Sequence, residues 1–363
     1  MASLDLPKYE QVKRSLIADI KVGRWSPGAS IPSEAQLLKR FSVSRPTLVR
    51  SLQDLVRDGY LFRRQGKGTF VAERADPQAG SHALPRVVTL FTAPREAVAD
   101  VGSPGEVLLG LLRGVQSVLG SAHVDLALRY TSIGMLDDET RQYLDKSQPG
   151  VALLIEPSFS PQLRVELLRR RWTVWSVNEP WEEGNAVYID QERAGYLATR
   201  YLIEKRGCRH IALLNGPTGE YWGFGARLKG YRTALNEAGI EPDARLIREG
   251  SHMIDTEAGR IMMRAVLDGA IKVDGVVGAS DSKAIGAVAA AQECGRRVQD
   301  DLAVVGIDDI LAAHVNPPLP SVAMPFEAVG RRAAEEALRS LAGANGHALA
   351  PIEIQLKPTL MER

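Results

Sequence analysis

The sequence predicts an α/β protein in two parts: a small winged helix-turn-helix at the N-terminal end, and a larger two-lobed body of doubly wound parallel sheets. Three observations carry that expectation. Residues 8–71 hold short amphipathic helical patterns followed by a glycine-tipped hairpin. From Arg86 onward, short apolar runs alternate with helical stretches. Between the two, the segment 75–85 is small, polar and broken by Pro77, Gly80 and Pro85, which suits a solvated linker. A chain of 363 residues also exceeds what one ordinary core organises. The expected division is therefore 1–74, a linker at 75–85, and 86–363.

In the first part, Tyr9, Val12, Leu16, Ile17 and Ile20 recur at helical spacing and predict an amphipathic helix over about residues 7–22. Gly23 and Gly28 end it. Ser33 is placed to cap a second helix that buries Leu37, Leu38 and Phe41. Ser44 caps a third, whose first turn tolerates Pro46 and whose apolar stripe is Leu48, Leu52, Leu55 and Val56. Two short helices joined by a tight turn make a helix-turn-helix. Arg45, Thr47 and Arg50 lie near the start of the third helix and off its stripe. There an arginine can grip guanine O6 and N7 with a discrimination of about 1–3 kcal/mol. Tyr60-Leu61-Phe62 and Thr69-Phe70-Val71 predict a hairpin with a cationic tip that holds Gln65, Gly66 and Lys67. Singly, such residues more often form a solvated face; the ordered set points to double-stranded DNA. Charge agrees: residues 1–74 carry 14 Lys/Arg against 7 Asp/Glu, a net of +7, while the remainder is −6.

In the body, the apolar runs are 87–91, 124–128, 151–155, 174–177, 210–214, 275–278 and 303–307, as strands buried on both faces require. Helical stretches at 104–119, 190–206 and 281–294 separate some of them, so the pattern is βα repeats. Ligands in such folds bind beyond the carboxyl ends of strands. The loops there hold Thr92 to Arg95, Glu156 to Phe159, Asn178 to Trp181, Tyr221 to Phe224, Ser280-Asp281 and Asp308-Asp309. Aromatic faces stack on sugars and carboxylates bond their hydroxyls, which makes Trp222 a candidate ligand contact. Asp190 and Asp281 each precede a helix and are good caps, Asp190 above all. Trp172 and Trp175 read as core or interface residues.

Several classes are disfavoured. Two cysteines, Cys208 and Cys294, form no disulfide scaffold or zinc motif, and a reducing cytoplasm is expected. No apolar run approaches the roughly 18 residues of a membrane span, and the N-terminal end holds no secretory h-region. There is no Gly-x-Ser-x-Gly, no P-loop and no His/Asp set with a nucleophile, so neither an enzyme nor a cofactor is expected. A sugar-binding protein of a transport system would share the same cleft; the basic N-terminal part argues against it.

Residues 8–71 resemble the winged helix-turn-helix of GntR-family bacterial transcription regulators. The match runs through Pro27-Gly28, Ile31-Pro32-Ser33-Glu34, Val43-Ser44-Arg45, Leu55, Gly59-Tyr60 and Gly66-x-Gly68-Thr69-Phe70-Val71. The resemblance places DNA contacts on Ser33, Ser44, Arg45, Thr47 and the wing residues Gln65, Gly66 and Lys67. Two departures stand out: Ala35 where relatives often carry a polar or basic residue, and Val49 where an arginine is usual, with Arg50 beside it. Residues 86–363 resemble the LacI-type effector domain, a periplasmic-binding-protein-like (type I) fold. This match is strongest from 190 onward, through Asp190-x4-Gly195, Gly207, Arg227-Leu-Lys-Gly230-Tyr, Gly275, Asp281-x2-Ala284-Ile-Gly286, Gly306-Ile-Asp308-Asp309 and Gly330. In that family the arginine matched by Arg227 clamps effector hydroxyls, and the positions matched by Ser280, Asp281 and Asp308 line the cleft. An acid that sugar-responsive relatives carry nearby is represented by Ser176 or Asn178. A wing and a Pro/Gly tether stand where LacI-type repressors have a hinge helix. That combination resembles the arabinose-responsive repressor subgroup, and it implies a homodimeric repressor that binds operator DNA and a sugar.

Overall fold

A computed structural model describes residues 7–26, 28–57, 60–64, 68–72, 87–92, 103–132, 134–156, 160–219, 221–250, 256–269, 271–342 and 351–363. The chain forms two compact units, Met1–Leu84 and Pro85–Arg363. The expected linker, 75–85, lies outside the described residues, as do Gln65, Gly66 and Lys67.

In the first unit, α1 (Lys8–Lys21), α2 (Glu34–Phe41) and α3 (Arg45–Arg57) precede the hairpin β1 (Leu61–Arg64) and β2 (Gly68–Val71). Their core is Val12, Leu16, Ile20, Ile31, Leu37, Leu48, Leu52, Leu55, Leu61 and Val71, the apolar stripes expected from helical spacing. The wing has a third rung. Ser30 bridges to Phe70, the Ile31 N–H donates to the Thr69 carbonyl at 3.0 Å, and the Val71 N–H donates to Ala29 at 2.8 Å. Two polar ties fix the helices. The buried Ser51 hydroxyl donates to the Tyr9 carbonyl at 2.8 Å, joining α3 to the start of α1. Asp19 on α1 pairs with Arg40 of α2 at 2.6 Å and with Arg24 at 3.0 Å. The Arg40 hydrogen bond holds the Asp19 carboxyl below its ordinary range.

The second unit holds two six-stranded sheets. The first contains β3 (Val87–Thr92), β4 (Asp125–Tyr130), β5 (Val151–Ile155), β6 (Thr173–Val177), β7 (Asn185–Ile189) and β13 (Glu353–Leu356), in the order β13-β7-β6-β5-β3-β4, all parallel. Its helices are α4 (Ser103–Ser121), α5 (Asp138–Lys146), α6 (Pro161–Arg169) and α11 (Phe326–Leu341). The second sheet contains β8 (Ile211–Asn215), β9 (Ile247–Glu249), β10 (Gly275–Gly278), β11 (Ala303–Asp308), β12 (Ser321–Ala323) and β14 (Thr359–Met361), in the order β14-β12-β11-β10-β8-β9. Here β14 is antiparallel to β12 and the other pairs are parallel. Its helices are α7 (Gln191–Arg206), α8 (Trp222–Glu237), α9 (Thr256–Asp268) and α10 (Asp281–Glu293).

The chain passes between the sheets three times: at Asp190, at Met324-Pro325 and at Lys357-Pro358. The seven expected apolar runs all form strands. Five more strands, β7, β9, β12, β13 and β14, were not anticipated. Four have three or four residues, and β13 alternates in exposure; β7 does hold a buried apolar run, Ala186 to Ile189, that the sequence reading passes over. Trp175 is core: fully buried, its indole N–H donates to the Ser340 hydroxyl at 3.2 Å.

Close helix pairs are set by glycine. A Cβ on Gly195 of α7 would fall 2.1 Å from the Arg227 carbonyl, and one on Gly230 of α8 would fall 1.9 Å from the Glu192 carbonyl. Each helix thus sinks into the other where a side chain is missing. The pairs α4–α11, through Gly114 and Gly330, and α9–α10, through Gly259 and Gly286, use the same device.

Candidate functional site

On the first unit, the expected DNA-contacting residues gather at the starts of α2 and α3. Ser33 forms a capping box with Gln36: the Gln36 N–H donates to the Ser33 hydroxyl at 3.4 Å, and the Ser33 N–H donates to Gln36 Oε1 at 2.9 Å. Ser44 and Thr47 share a 2.7 Å hydroxyl contact, and the Thr47 N–H donates to Ser44 Oγ at 3.4 Å. Both serines are exposed caps that hold a helix N-terminus open at the surface, where the positive end of the dipole favours an anion. Arg45 follows directly; its side chain is 76% exposed and meets Glu34 at 3.5 Å. Arg50 is differently placed. Five residues turn it about 140° around the helix from Arg45, and its guanidinium lies 4.0 Å over the Tyr9 ring of α1. Arg45 and Arg50 therefore do not share a face, and Val49 holds the position one turn after Arg45.

On the second unit, polar residues converge at strand ends of both sheets. β5 ends into Glu156 and β6 into Asn178, with left-handed backbones at φ 49° and 66°. The Asn178 amide donates to Glu156 Oε1 at 3.0 Å. It also lies 3.5 Å from the hydroxyl of Tyr221, which precedes α8 in the second sheet's lobe. Burial pushes the Glu156 carboxyl up to about 7, against the opposing pull of the Asn178 amide, and nearby Glu179 adds to the rise.

Phe224 and Arg227, three residues apart, share one face of α8, and Tyr221 stands at its N-cap. Arg227 is buried. Its Nε donates to Gln191 Oε1 at 2.8 Å, its Nη1 donates to the Ala279 carbonyl, and its Nη2 lies 3.6 Å from Asp308 Oδ1. Asp308 ends β11 at φ 118°, and Asp309 follows at φ 56°. Such left-handed non-glycine residues cost about 1–3 kcal/mol each and cluster at functional sites. Burial raises the Asp308 carboxyl to about 7, Arg227 opposes the rise, and Asp281 reinforces it. Phe224 carries two cations near its ring, Arg227 at 5.8 Å and the fully buried Lys283 at 5.3 Å.

Of the five residues the sequence nominated here, Arg227 and Asp308 are brought together. Ser280 is buried and caps α10, accepting from the Lys283 N–H at 3.2 Å. Asp281 has a different task from the expected cleft contact. Its Oδ2 accepts from the N–H groups of Ile310, Leu311 and Ala312 at 2.8, 2.9 and 3.1 Å, and its Oδ1 accepts from the Ser321 hydroxyl at 2.6 Å. With four protein donors, this carboxylate is a clamp on the turn after β11. Trp222 lies not in a loop but at the first residue of α8, edge-on to Tyr188 with ring centroids 5.7 Å apart. The sequence did not nominate Glu156, Tyr221, Phe224, Gln191, Lys283 or Asn215. Glu156 and the Tyr221–Phe224 stretch stood in named loops, but nothing local ranked them above their neighbours.

Four polar atoms around this cluster are buried without a protein hydrogen-bond partner: Asn178 Oδ1, Gln191 Nε2, Asn215 Oδ1 and Trp222 Nε1. Two are acceptors and two are donors. Each such group costs about 1–3 kcal/mol if it stays unpaired.

Comparison with known proteins places both units. Residues 8–71 match the family of bacterial regulatory proteins termed gntR, and residues 199–363 match the periplasmic binding protein-like domain. The HTH-type transcriptional regulator CelR of Thermobifida fusca is 40% identical over 185 residues, 51% of this chain; the match spans about half, 52%, of that relative. The arabinose metabolism transcriptional repressor of Halalkalibacterium halodurans is 26% identical over 314 residues, covering 83% of this chain and 80% of that one. A solved complex of a transcriptional regulator CelR with cellobiose superposes with a TM-score of 0.67 at 26% identity, over 99% of each chain. The chain belongs to the bacterial transcription regulators that join a GntR-type winged helix-turn-helix to a LacI-like, periplasmic binding protein-like effector domain.

Proposed function

We propose that this protein is a one-component transcription repressor whose hold on operator DNA is set by a sugar bound between the lobes of its second unit. The observation that carries the effector assignment is the set of four unpartnered atoms at Asn178, Gln191, Asn215 and Trp222. Buried donors and acceptors left unpaired in this way suit a neutral polyol, because each hydroxyl both donates and accepts. Arg227, Asp308, Glu156 and Asn178 would bond hydroxyls, while Phe224 and Trp222 supply apolar faces. The sugar-linked names of the relatives and the cellobiose held by the CelR structure support the same ligand class.

The reader would dock α3 in the major groove through Arg45 and Thr47, with the caps at Ser33 and Ser44 on phosphates and the wing tip at Gln65, Gly66 and Lys67 on the adjacent backbone. A homodimer would match a palindromic operator. Effector binding would shift the population toward a lobe arrangement with weaker DNA affinity, which requires that the sugar bind that arrangement more tightly. The test is fluorescence anisotropy on a duplex selected by the full-length protein, with cellobiose and a panel of mono- and disaccharides. Arg227→Ala is expected to keep DNA binding and to lose the sugar response. A variant that still responds would remove Arg227 from the site, and a wild-type protein indifferent to every sugar would remove the effector class.

A further inference from the structure

We propose that Arg363 is a positioning residue for the cleft: through Asp309, it holds the left-handed turn that points the Asp308 carboxylate at Arg227. The inference builds on the assignment of that cleft as the effector site. Strand β14 pairs with β12 in the register Ser321↔Met361 and Ala323↔Thr359. Continuing that register two residues sets Arg363 opposite Leu319. Its guanidinium there donates to the Leu319 carbonyl at 3.0 Å and meets Asp309 Oδ1 at 2.7 Å. Both side chains are largely buried, 21% and 14% exposed.

Asp309 is the second of two consecutive non-glycine residues with positive φ. The turn is gripped from the inside by Asp281, which takes the N–H groups of 310–312. Ser321 accepts from the Asp309 N–H at 3.2 Å while donating to Asp281. Those bonds fix the backbone on the far side of Asp308, and Arg363, hydrogen-bonded to Leu319, holds the Asp309 carboxylate from the outside by charge. If Asp309 is released, residue 308 can relax toward the extended backbone that an aspartate prefers. That relaxation turns its carboxylate away from Arg227 and toward water. The charged groups facing Asp308 are Arg227 on α8 and Asp281 and Lys283 on α10, and the Asp281 N–H bonds it directly. Arg363 reaches the site through the turn, without touching that cluster.

The test uses the full-length protein labelled with carbon-13 at aspartate carboxyls. The Asp308 resonance is identified by its loss in Asp308→Asn. Arg363→Met is expected to lower the Asp308 titration midpoint by about one pH unit or more, as solvation replaces burial. Arg363→Lys, which keeps the cation, should restore most of the wild-type midpoint. If Arg363→Met does not fold, Asp309→Asn breaks the same pair and should lower the midpoint in the same direction. An unchanged midpoint in the folded variants overturns the proposal. Thermal shift of the wild-type protein with cellobiose and the sugar panel separates the two ideas. A midpoint that follows Arg363, without any sugar response, would leave the positioning role standing and remove the effector assignment. A sugar response with an immobile midpoint would do the reverse.

Discussion

Two carboxyls, Glu156 and Asp308, are raised by burial to about 7. Unfolded, each would release its proton near pH ~4. The folded state therefore binds more protons than the unfolded state between those values, and stability falls as pH rises through that window. The second unit is expected to be more stable near pH ~5.5 than near pH ~8, by on the order of a few kcal/mol. Carboxyls held low by arginine partners, such as Glu166, Asp243 and Asp301 at about 2, act in the opposite direction but only in more acid solution. Urea melts across this range check the sign; the double variant Glu156→Gln, Asp308→Asn should flatten the profile, and an undiminished slope would contradict the account. These same residues show the limits of sequence. Asp308 could be nominated from its motif. Glu156 could not be ranked, because its character comes from a left-handed backbone and from Asn178 and Tyr221, distant in sequence. Asp281 shows the same limit: a buried clamp on the turn after β11 and a ligand contact use the same residue type at the same strand end, so sequence does not separate them.

At the scale of elements, the starts of α2 and α3 were legible because caps, stripes and stops are local signals: Ser33, Ser44 and the leucines of α3 each act within a few residues. The long parallel strands were legible because burial on both faces leaves an apolar run. The short strands β9, β12 and β14 were not, since three residues carry no period. Gly230 illustrates a contact that sequence shows only as a glycine. In a helix interior, Gly→Ala ordinarily stabilises by about 1 kcal/mol. Gly230→Ala is expected to destabilise by about 1–3 kcal/mol, since its Cβ must push α8 away from the Glu192 carbonyl. The same step carries Arg227, one turn earlier on α8, out of register with Asp308, so the sugar response should weaken as well. Gly120→Ala on α4, where a Cβ meets nothing within 4 Å, should show the ordinary stabilising sign. Equilibrium urea unfolding of both variants decides the matter, and equal signs would refute the crossing argument.

For the whole molecule, charge is distributed so that one unit alone attracts phosphate: +7 in residues 1–74 against −6 beyond. DNA affinity of the full-length chain is expected to fall steeply with salt, at about −0.9 in logarithmic slope per phosphate neutralised. Arg45→Gln should weaken discrimination among operator variants if Arg45 reads a base, and should reduce the slope by about one if it holds a phosphate. A variant with unchanged affinity, discrimination and slope would take Arg45 out of the interface. The second unit meets a separate mechanical demand, and the three passages between its sheets answer it. Asp190, Met324-Pro325 and Lys357-Pro358 are each one or two residues long, and two contain proline, whose ring fixes φ. Three crossings this short leave little slack in the chain between the two sheets. Any rearrangement of one sheet against the other must therefore be absorbed at Asp190, Met324, Pro325, Lys357 and Pro358.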